Sequence, residues 1–338
     1  MRKLSDCIIL LGGSSEERLV SVASGQNIAK QIPEAKLWFL TKTGEVHEVS
    51  HDELAGHADA FMKEFVSKAP VLSKTLKEAL PNAKKMTIIV ALHGTEGEDG
   101  TLQKLFEDNK ISFTGTGSQA SSTAFNKYET KKIAKKNGIQ VVEDMIVHRF
   151  DITEKAKVTT LFEKSGKIVM KPLANGSSVG LFIIDSKESF EAAWKKAPEH
   201  KFGSYLIEPF IVGREITVGV YETRKGETLP LPCSEVRVIE GRQFDYAGKY
   251  LGKGVEELTP APITESEKNV CQEVALKIHK AVSCHGYTRT DMILTENGPV
   301  MMEINTLPGM SKASFIPQQL IAAGMNLRDF FEEQINLK

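Results

Sequence analysis

Arg289, Asp291, Glu303 and Asn305 fall close together near the end of the 338-residue chain, and the carboxylates and the amide among them could hold a cation. The runs Arg289 to Leu294 and Val300 to Asn305 alternate polar and apolar residues around a turn-forming segment, Thr295 to Pro299, which predicts a β-hairpin. A turn centred on Asn297 sets Asp291 opposite Glu303 and Arg289 opposite Asn305. Met292, Leu294, Val300, Met302 and Ile304 then face a core together. Two carboxylates directly across a ladder repel, unless a cation lies between them. With Asn305 adding a neutral oxygen, the set suits Mg²⁺, which keeps several waters and takes further ligands from nucleotide phosphates. An ordinary hairpin with a solvated polar face has the same pattern, and this stretch alone leaves both readings open.

Other candidates are scattered along the chain. Ile168-Val-Met-Lys-Pro172 carries Lys171 inside an apolar strand, where an ammonium is costly without an anionic partner. The Gly/Ser-rich loop Leu173 to Gly180 runs on into another strand, whereas a Walker A loop opens a helix. Its backbone N–H groups and the hydroxyls of Ser177 and Ser178 suit an anion nest; a flexible hairpin tip is the competing reading. His93 opens the loop His93 to Gly100, and alone it reads as a satisfied loop histidine more readily than as a catalyst. Lys127, early in a helical stretch, is alone indistinguishable from any exposed lysine.

The elements needed to position these groups form an α/β chain. Cys7 to Leu11, Leu37 to Leu40 and Thr87 to Leu92 read as strands, Val20 to Ile32 and Leu102 to Asn109 as helices, and Leu40 to Ala79 as helical material. This βαβαβα order predicts a doubly wound parallel sheet with ligands at the carboxyl ends of its strands, where the loops Gly12 to Arg18 and His93 to Gly100 fall. Gly12-Gly13 does not extend to a dinucleotide G-x-G-x-x-G. One helix is predicted from Ser118 to Asn137, closed by Gly138, and another from the capping-box-like Asp151-x-x-Glu154 to Gly166. Strands follow at Ile168 to Pro172, Leu181 to Ile184, Ser204 to Phe210, Ile216 to Tyr221 and Leu229 to Val238. Ile239 to Pro262 reads as a long lid or binding loop. A helix from Thr264 to Ser283, the hairpin, and helices near Phe315 to Ala323 and Leu327 to Ile335 complete the chain.

The length implies two or three domains. A net charge of −1, from 43 basic and 44 acidic residues, gives no electrostatic case for nucleic acid or an anionic membrane and favours small-molecule work. Four cysteines without a Cys-x-x-Cys pair point to a reducing compartment rather than a disulfide framework or zinc site. The apolar run at Cys7 is too short for a signal peptide, and no run approaches the roughly 20 residues of a membrane helix. A cytoplasmic protein is expected.

Taken in order, LLGGSSEERLVS, ALHGTEGEDG, MKPLANGSSVG, LIEPF, DYAGKYL, RTDMIL and EINTLPGM resemble the motif set of the D-alanine–D-alanine ligases of the ATP-grasp superfamily, from about Leu10 to Phe315. The resemblance implies a three-domain ATP-grasp architecture: an N-terminal Rossmann-like domain (1–117), a central subdomain (118–210) and a C-terminal subdomain with metal site and lid (211–338). It implies ATP as substrate between the two later sheets, two Mg²⁺ ions with Mn²⁺ as a substitute, and a homodimer. Lys127, Lys171, Ser178 and Lys249 would serve the phosphates, Glu208, Pro209, Phe210 and Ile211 the adenine, and Glu215 the ribose. Asp291, Glu303 and Asn305 would hold metal. Glu17 would pair with the ammonium of the first D-alanine, with His93 near its reacting end. Glu17, Ser177 and Tyr250 would form a lid-closing triad. Arg289, the Gly309 backbone and Ser314 would hold the second D-alanine. Tyr250 accompanies dipeptide rather than ester synthesis in this family, because a phenol can hydrogen-bond and a phenyl ring cannot.

Three positions depart from the family pattern: Leu19 replaces the usual Glu, and Lys312 and Phe315 replace the commoner His and Leu beside the second-substrate site. They leave a ligase with another second substrate, D-lactate or another amino acid, as the nearest rival. A silent nucleotide-binding protein is the rival of a different class.

Overall fold

The computed structural model describes residues 1–174, 180–238 and 255–337. Its strands form three sheets, each drawn from its own stretch of chain. The first contains β1 (Cys7–Gly12), β2 (Lys36–Leu40), β3 (Val46–Val49), β4 (Val71–Ser73), β5 (Thr87–Val90) and β6 (Ser112–Phe113), in the order β4-β3-β2-β1-β5-β6. The segment β2-β1-β5-β6 is parallel. Every residue of β1 is buried, so its run is continuously apolar instead of alternating. Gly12 leaves β1 with φ +96°, and a Cβ there would overlap the Leu40 carbonyl oxygen. The chain then enters the loop carrying Glu17 and the helix α1 (Arg18–Gln31).

The stretch from Leu40 to Ala79 corrects an expectation of helix. It holds the antiparallel strands β3 and β4 and only two short helices, α2 (His51–Ala55) and α3 (Leu76–Ala79). The strands are too short for a period to declare itself, and the pairing of β3 with β2 and of β4 with β3 decides their conformation. The helix α4 (Thr101–Asp108) follows β5 as predicted.

A second correction bears on the site. The stretch from Ser118 to Asn137 is not one helix but two, α5 (Ser118–Phe125) and α6 (Lys127–Lys136). Asn126 breaks them with an extended backbone (φ −85°, ψ 101°), and its side chain accepts the N–H groups of Tyr128 and Glu129. Lys127 therefore stands in the first turn of α6, where its own N–H donates to the Leu173 carbonyl at 3.2 Å, just past the strand carrying Lys171.

The second sheet is antiparallel: β7 (Met145–Val147), β8 (Ile168–Pro172), β9 (Phe182–Ile184) and β10 (Tyr205–Pro209), ordered β7-β10-β8-β9. α7 (Ile152–Ser165) and α8 (Lys187–Lys196) share its core through Val158, Phe190 and Ala193. Asp151 caps α7, with its carboxylate accepting the Glu154 N–H, and Gly166 ends it at φ +69°, as the sequence predicts.

The third sheet contains β11 (Arg214–Glu222), β12 (Thr228–Pro230), β13 (Ser234–Val238), β14 (Val255–Leu258), β15 (Tyr287–Thr295) and β16 (Gly298–Asn305). Its order is β14-β13-β11-β15-β16, with β12 paired to β11. Two further expectations are corrected here. The single strand predicted at Leu229 to Val238 is two, and the loop predicted over Ile239 to Pro262 includes β14, paired with β13. The helix α9 (Glu265–Ala281) starts at a Thr264/Glu267 capping box and packs Cys271 and Ala275 against the sheet. α10 (Phe315–Ala322) and α11 (Leu327–Gln334) return to the first sheet, where Leu320, Phe330 and Phe331 share a core with Ile9 and Leu11. Among the described residues no helix is long and apolar enough to cross a membrane.

Candidate active site

The hairpin sets the first part of the site. Arg289 pairs with Asn305 and Asp291 with Glu303, as the alternation predicts. The tip closes one residue differently, with Thr295 opposite Gly298, and that register would set Asp291 against Met302. An irregularity between Asp291 and Met292 restores the Asp291–Glu303 pair. It also corrects the predicted core set: Met301 is buried and faces Met292, and Met302 is half-buried.

Cations already meet these carboxylates. Arg289 donates from Nε to Asp291 Oδ1 at 2.8 Å and from Nη2 to Oδ2 at 2.7 Å. Thr217 on β11 donates to Oδ1 at 2.5 Å, and Asn305 Nδ2 to Oδ2 at 3.1 Å. Lys127 Nζ lies 3.1 Å from Glu303 Oε2. The Arg289 guanidinium stands 5.8 Å from the centre of the Phe315 ring.

These groups line one cleft with Glu17, His93, Glu215, Gly309 and Ser314. Ten of the proposed catalytic, substrate, nucleotide and metal residues thus converge there from the first and third sheets, α6 and the turn after β16. Gly309 lies so close to Ser314 that a Cβ would come within 2.6 Å of Oγ. Ser314 Oγ accepts the Ser311 N–H at 3.1 Å and immediately precedes α10.

His93 is buried with both ring nitrogens in use. Nδ1 lies 2.9 Å from the Leu307 carbonyl, which can only accept, so Nδ1 carries the proton. Nε2 then accepts from Ser24 Oγ at 2.8 Å, and that hydroxyl accepts the Met310 N–H at 3.1 Å. Burial, aided by the Arg289 charge, lowers the His93 pKa and keeps the ring neutral. His93 thereby ties the loop after β5 to the turn after β16.

Glu98 was not singled out in the sequence. It lines the cleft half-buried and accepts the Gly94 N–H at 2.9 Å. Gly94 also abuts Glu17, since a Cβ on it would come within 2.8 Å of Glu17 Oε2. Burial and the Glu17 charge push the Glu98 carboxyl up to about 8. The only signal in the sequence was its place in the acidic loop His93 to Gly100.

Five of the proposed nucleotide residues lie off this cleft lining. Lys171 and Glu208 are buried on adjacent strands of the second sheet, with Nζ 2.7 Å from Glu208 Oε2. The buried Lys131 pairs with the other Glu208 oxygen and with Asp144 at 2.7 Å. Burial acts to raise the Glu208 pKa, but the Lys171 and Lys131 charges outweigh it and hold the carboxyl below its usual range. Breaking such a buried pair costs about 3–5 kcal/mol, because the other charge is left uncompensated. Pro209 ends β10, Phe210 receives Lys167 Nζ over its ring at 4.1 Å, and Ile211 borders a separate shallow depression with Val212 and the hairpin tip. Ser177, Ser178, Lys249, Tyr250 and most of the proposed lid fall outside the described residues.

An N-terminal sheet containing parallel strands, two further sheets and the cleft between the first and third define an ATP-grasp ligase architecture. Residues 6–116 match the family model described as D-ala D-ala ligase N-terminus, and residues 133–336 the one described as D-ala D-ala ligase C-terminus. The chain belongs to the D-alanine–D-alanine ligase family. It is 32% identical to a D-alanine–D-alanine ligase of Leptospira interrogans, over 97% of each chain, and 33% identical to one of Phocaeicola vulgatus, over 98% of each. Among solved structures it is similar to the VanG D-Ala:D-Ser ligase of Enterococcus faecalis (TM-score 0.79, 25% identity, 98% of each chain). It is also similar to the ATP complex of the Bacillus anthracis D-alanine–D-alanine ligase (TM-score 0.72, 25% identity, 97% of this chain and 95% of that one).

Proposed function

We propose that the protein joins two D-alanine molecules into D-alanyl-D-alanine, a peptidoglycan precursor, at the expense of ATP. The observation carrying this reading is the convergence of Glu17, Lys127, Glu303, Arg289 and Ser314 on one cleft. A carboxylate resists amine attack because its leaving group would be oxide. In the proposed route a carboxylate oxygen of the first D-alanine attacks the γ-phosphorus and ADP departs, giving an acyl phosphate. The amine of the second D-alanine, having lost a proton, attacks the carbonyl carbon. The C–O bond to phosphate breaks, and the dipeptide and inorganic phosphate leave.

Each step asks for a charge, which Glu17, Arg289 and Lys127 in the cleft and Lys171 off its lining would supply. Glu17 pairs with the ammonium of the first substrate, and Arg289 with the Gly309 backbone and Ser314 holds the carboxylate of the second. Arg289 also stabilises the oxyanion of the tetrahedral intermediate. Lys127 and Lys171 offset the phosphate charge, since phosphoryl transfer depends on positioning and electrostatics. Glu208 to Ile211 serve the adenine, Glu215 the ribose, and the lid residues Ser177, Ser178, Lys249 and Tyr250 shield the acyl phosphate from water.

Asp291, Glu303 and Asn305 fit a divalent ion: two carboxylates face each other across the ladder, and both already attract cations. Asn305 would turn its amide to present oxygen, since its nitrogen now faces Asp291. Mg²⁺, or Mn²⁺ in its place, would supply charge neutralisation for the phosphates when bound, and two ions belong to this reading. The reading also includes domains at 1–117, 118–210 and 211–338, a homodimer and a cytoplasmic location.

The test offers purified protein ATP and Mg²⁺ with D-alanine, with equimolar D-alanine and D-lactate, or alone, and follows phosphate release and product mass. D-alanine-dependent phosphate release with mainly D-alanyl-D-alanine supports the reading. Predominant ester, or turnover only with another second amino acid, assigns a different second substrate. ATP binding without turnover makes the protein a nucleotide binder.

A further inference from the structure

Lys131 is 1% exposed and lies one helical turn beyond Lys127 on α6. An ammonium so placed is tolerated only where anions meet it, and two do. Asp144 Oδ2 stands 2.7 Å from Nζ, and Glu208 Oε1 is bonded to it. The other oxygen of Glu208 takes Lys171 at 2.7 Å. In the ladder Lys171 lies opposite Leu206, two residues before Glu208, so the helix and the sheet approach the same carboxylate. Lys135 stands 3.8 Å from Asp144 and is largely exposed.

Sharing decides what Lys171 can do. Coulomb terms add, so the Lys131 ammonium beside Glu208 offsets by repulsion part of the attraction that the carboxylate exerts on Lys171. With Lys131 absent, Glu208 would hold Lys171 alone and Asp144 would lose its close partner. Lys171 would then be drawn into an isolated pair and withheld from any anion brought to it.

We infer that Lys131 is a positioning residue for the nucleotide: by taking one oxygen of Glu208 and one of Asp144, it leaves the Lys171 ammonium available to ATP phosphate. This rests on the proposed role of Lys171 and Glu208 in ATP binding. Lys131 acts through Glu208, not by contact with substrate. Its signature is therefore selective, affecting the use of ATP and not that of D-alanine.

Steady-state kinetics with ATP and D-alanine varied separately, on the full chain, test this for Lys131→Arg, Lys131→Met and the double variant Lys131→Met/Asp144→Asn. The double variant removes the Asp144 charge that Lys131→Met would leave with only the more distant Lys135, so its folding is less burdened. In both methionine variants KM for ATP is expected to rise roughly 10-fold or more while KM for D-alanine stays within about 2-fold. Lys131→Arg, which keeps the charge, is expected to recover most of the loss. A folded double variant with unchanged KM for ATP overturns the inference, as does an equal rise in both KM values. Failure of both methionine variants to fold, with Lys131→Arg folding at wild-type KM, assigns Lys131 a structural role and also overturns it. If the wild-type protein shows no ligation, the proposed function falls instead, and equilibrium ATP binding by the same variants still tests Lys131.

Discussion

Lys127 on α6 and Glu303 on β16 meet across the cleft, with Nζ 3.1 Å from Oε2 and the side chains 12% and 29% exposed. The pair joins the helix after the first sheet to the outer strand of the third. It also places an ammonium against the carboxylate proposed for metal, so a bound cation and phosphate would have to divide this pair between them.

Changing Glu303 to Gln keeps a side chain of the same shape that can still accept from Lys127, so folding should survive. Loss of the charge should lower turnover by roughly 100-fold or more, on the scale of lost metal-assisted charge stabilisation. Raising Mg²⁺ should recover part of it. Activity at the wild-type level, measured by phosphate release across a Mg²⁺ series, would remove Glu303 from the metal site.

His93 should act on stability and on the shape of the first-substrate site. Replacing it with Ala removes the bonds to Leu307 and Ser24, which should cost about 2–3 kcal/mol in urea unfolding. Its pKa is lowered in the folded protein. The unfolded chain therefore binds the proton first as pH falls, and stability present above the ordinary histidine range is lost as pH drops through and below it. The variant should show a flatter acid limb; an identical limb in both proteins would contradict the neutral-ring assignment.

Glu98 works in the opposite sense. Its folded pKa is raised from 4.5 to about 8, so between those values the folded protein keeps a proton that the unfolded chain has released. Stability should then decline as pH rises through that window. Glu98→Gln retains an oxygen to accept the Gly94 N–H and removes the titration. Melting temperatures from pH 5 to 9 should show the variant gaining on the wild type toward pH 8. Parallel curves would mean that Glu98 is ionised throughout.

Phe315 contacts the guanidinium proposed to hold the second substrate. In Phe315→Leu the ring contact is lost and the site widens. The specificity constant for D-alanine as second substrate should fall about 2- to 5-fold, in keeping with a cation–π contact of about 0.5–1 kcal/mol. Larger D-amino acids should gain as second substrates relative to it. An unchanged product spectrum from a mixture of D-amino acids would take Phe315 out of the specificity argument.

Much of this architecture is legible locally. β1, the capped helices α7 and α9 and the Asp291–Glu303 pairing all follow from alternation, apolar runs and caps within a few residues of one another. These signals are strong because a backbone N–H at a helix start or a side chain on a pleated strand meets its partner nearby. Glu98 was harder to pick out, since an acidic residue in an acidic loop has nothing local to distinguish a cleft position from a solvated one.

By itself the sequence determined the α/β class, the family motifs and the identity of the side chains in the cleft. Tertiary structure decided where their charges go. Asn126 divides a stretch with unbroken helical pattern, and only the fold shows Lys127 turned toward Glu303. The irregularity at Asp291 compensates a hairpin tip whose register the pattern misplaces. β3, β4 and β14 are too short to carry a period and exist through their neighbours. Lys131 reads as one more lysine of a basic helix, and it becomes a buried partner of Asp144 and Glu208 because the helix packs beside the second sheet. Periodicity and capping are set over a few residues of chain, whereas strand register, burial and ion pairing are set by groups brought together from distant parts of it.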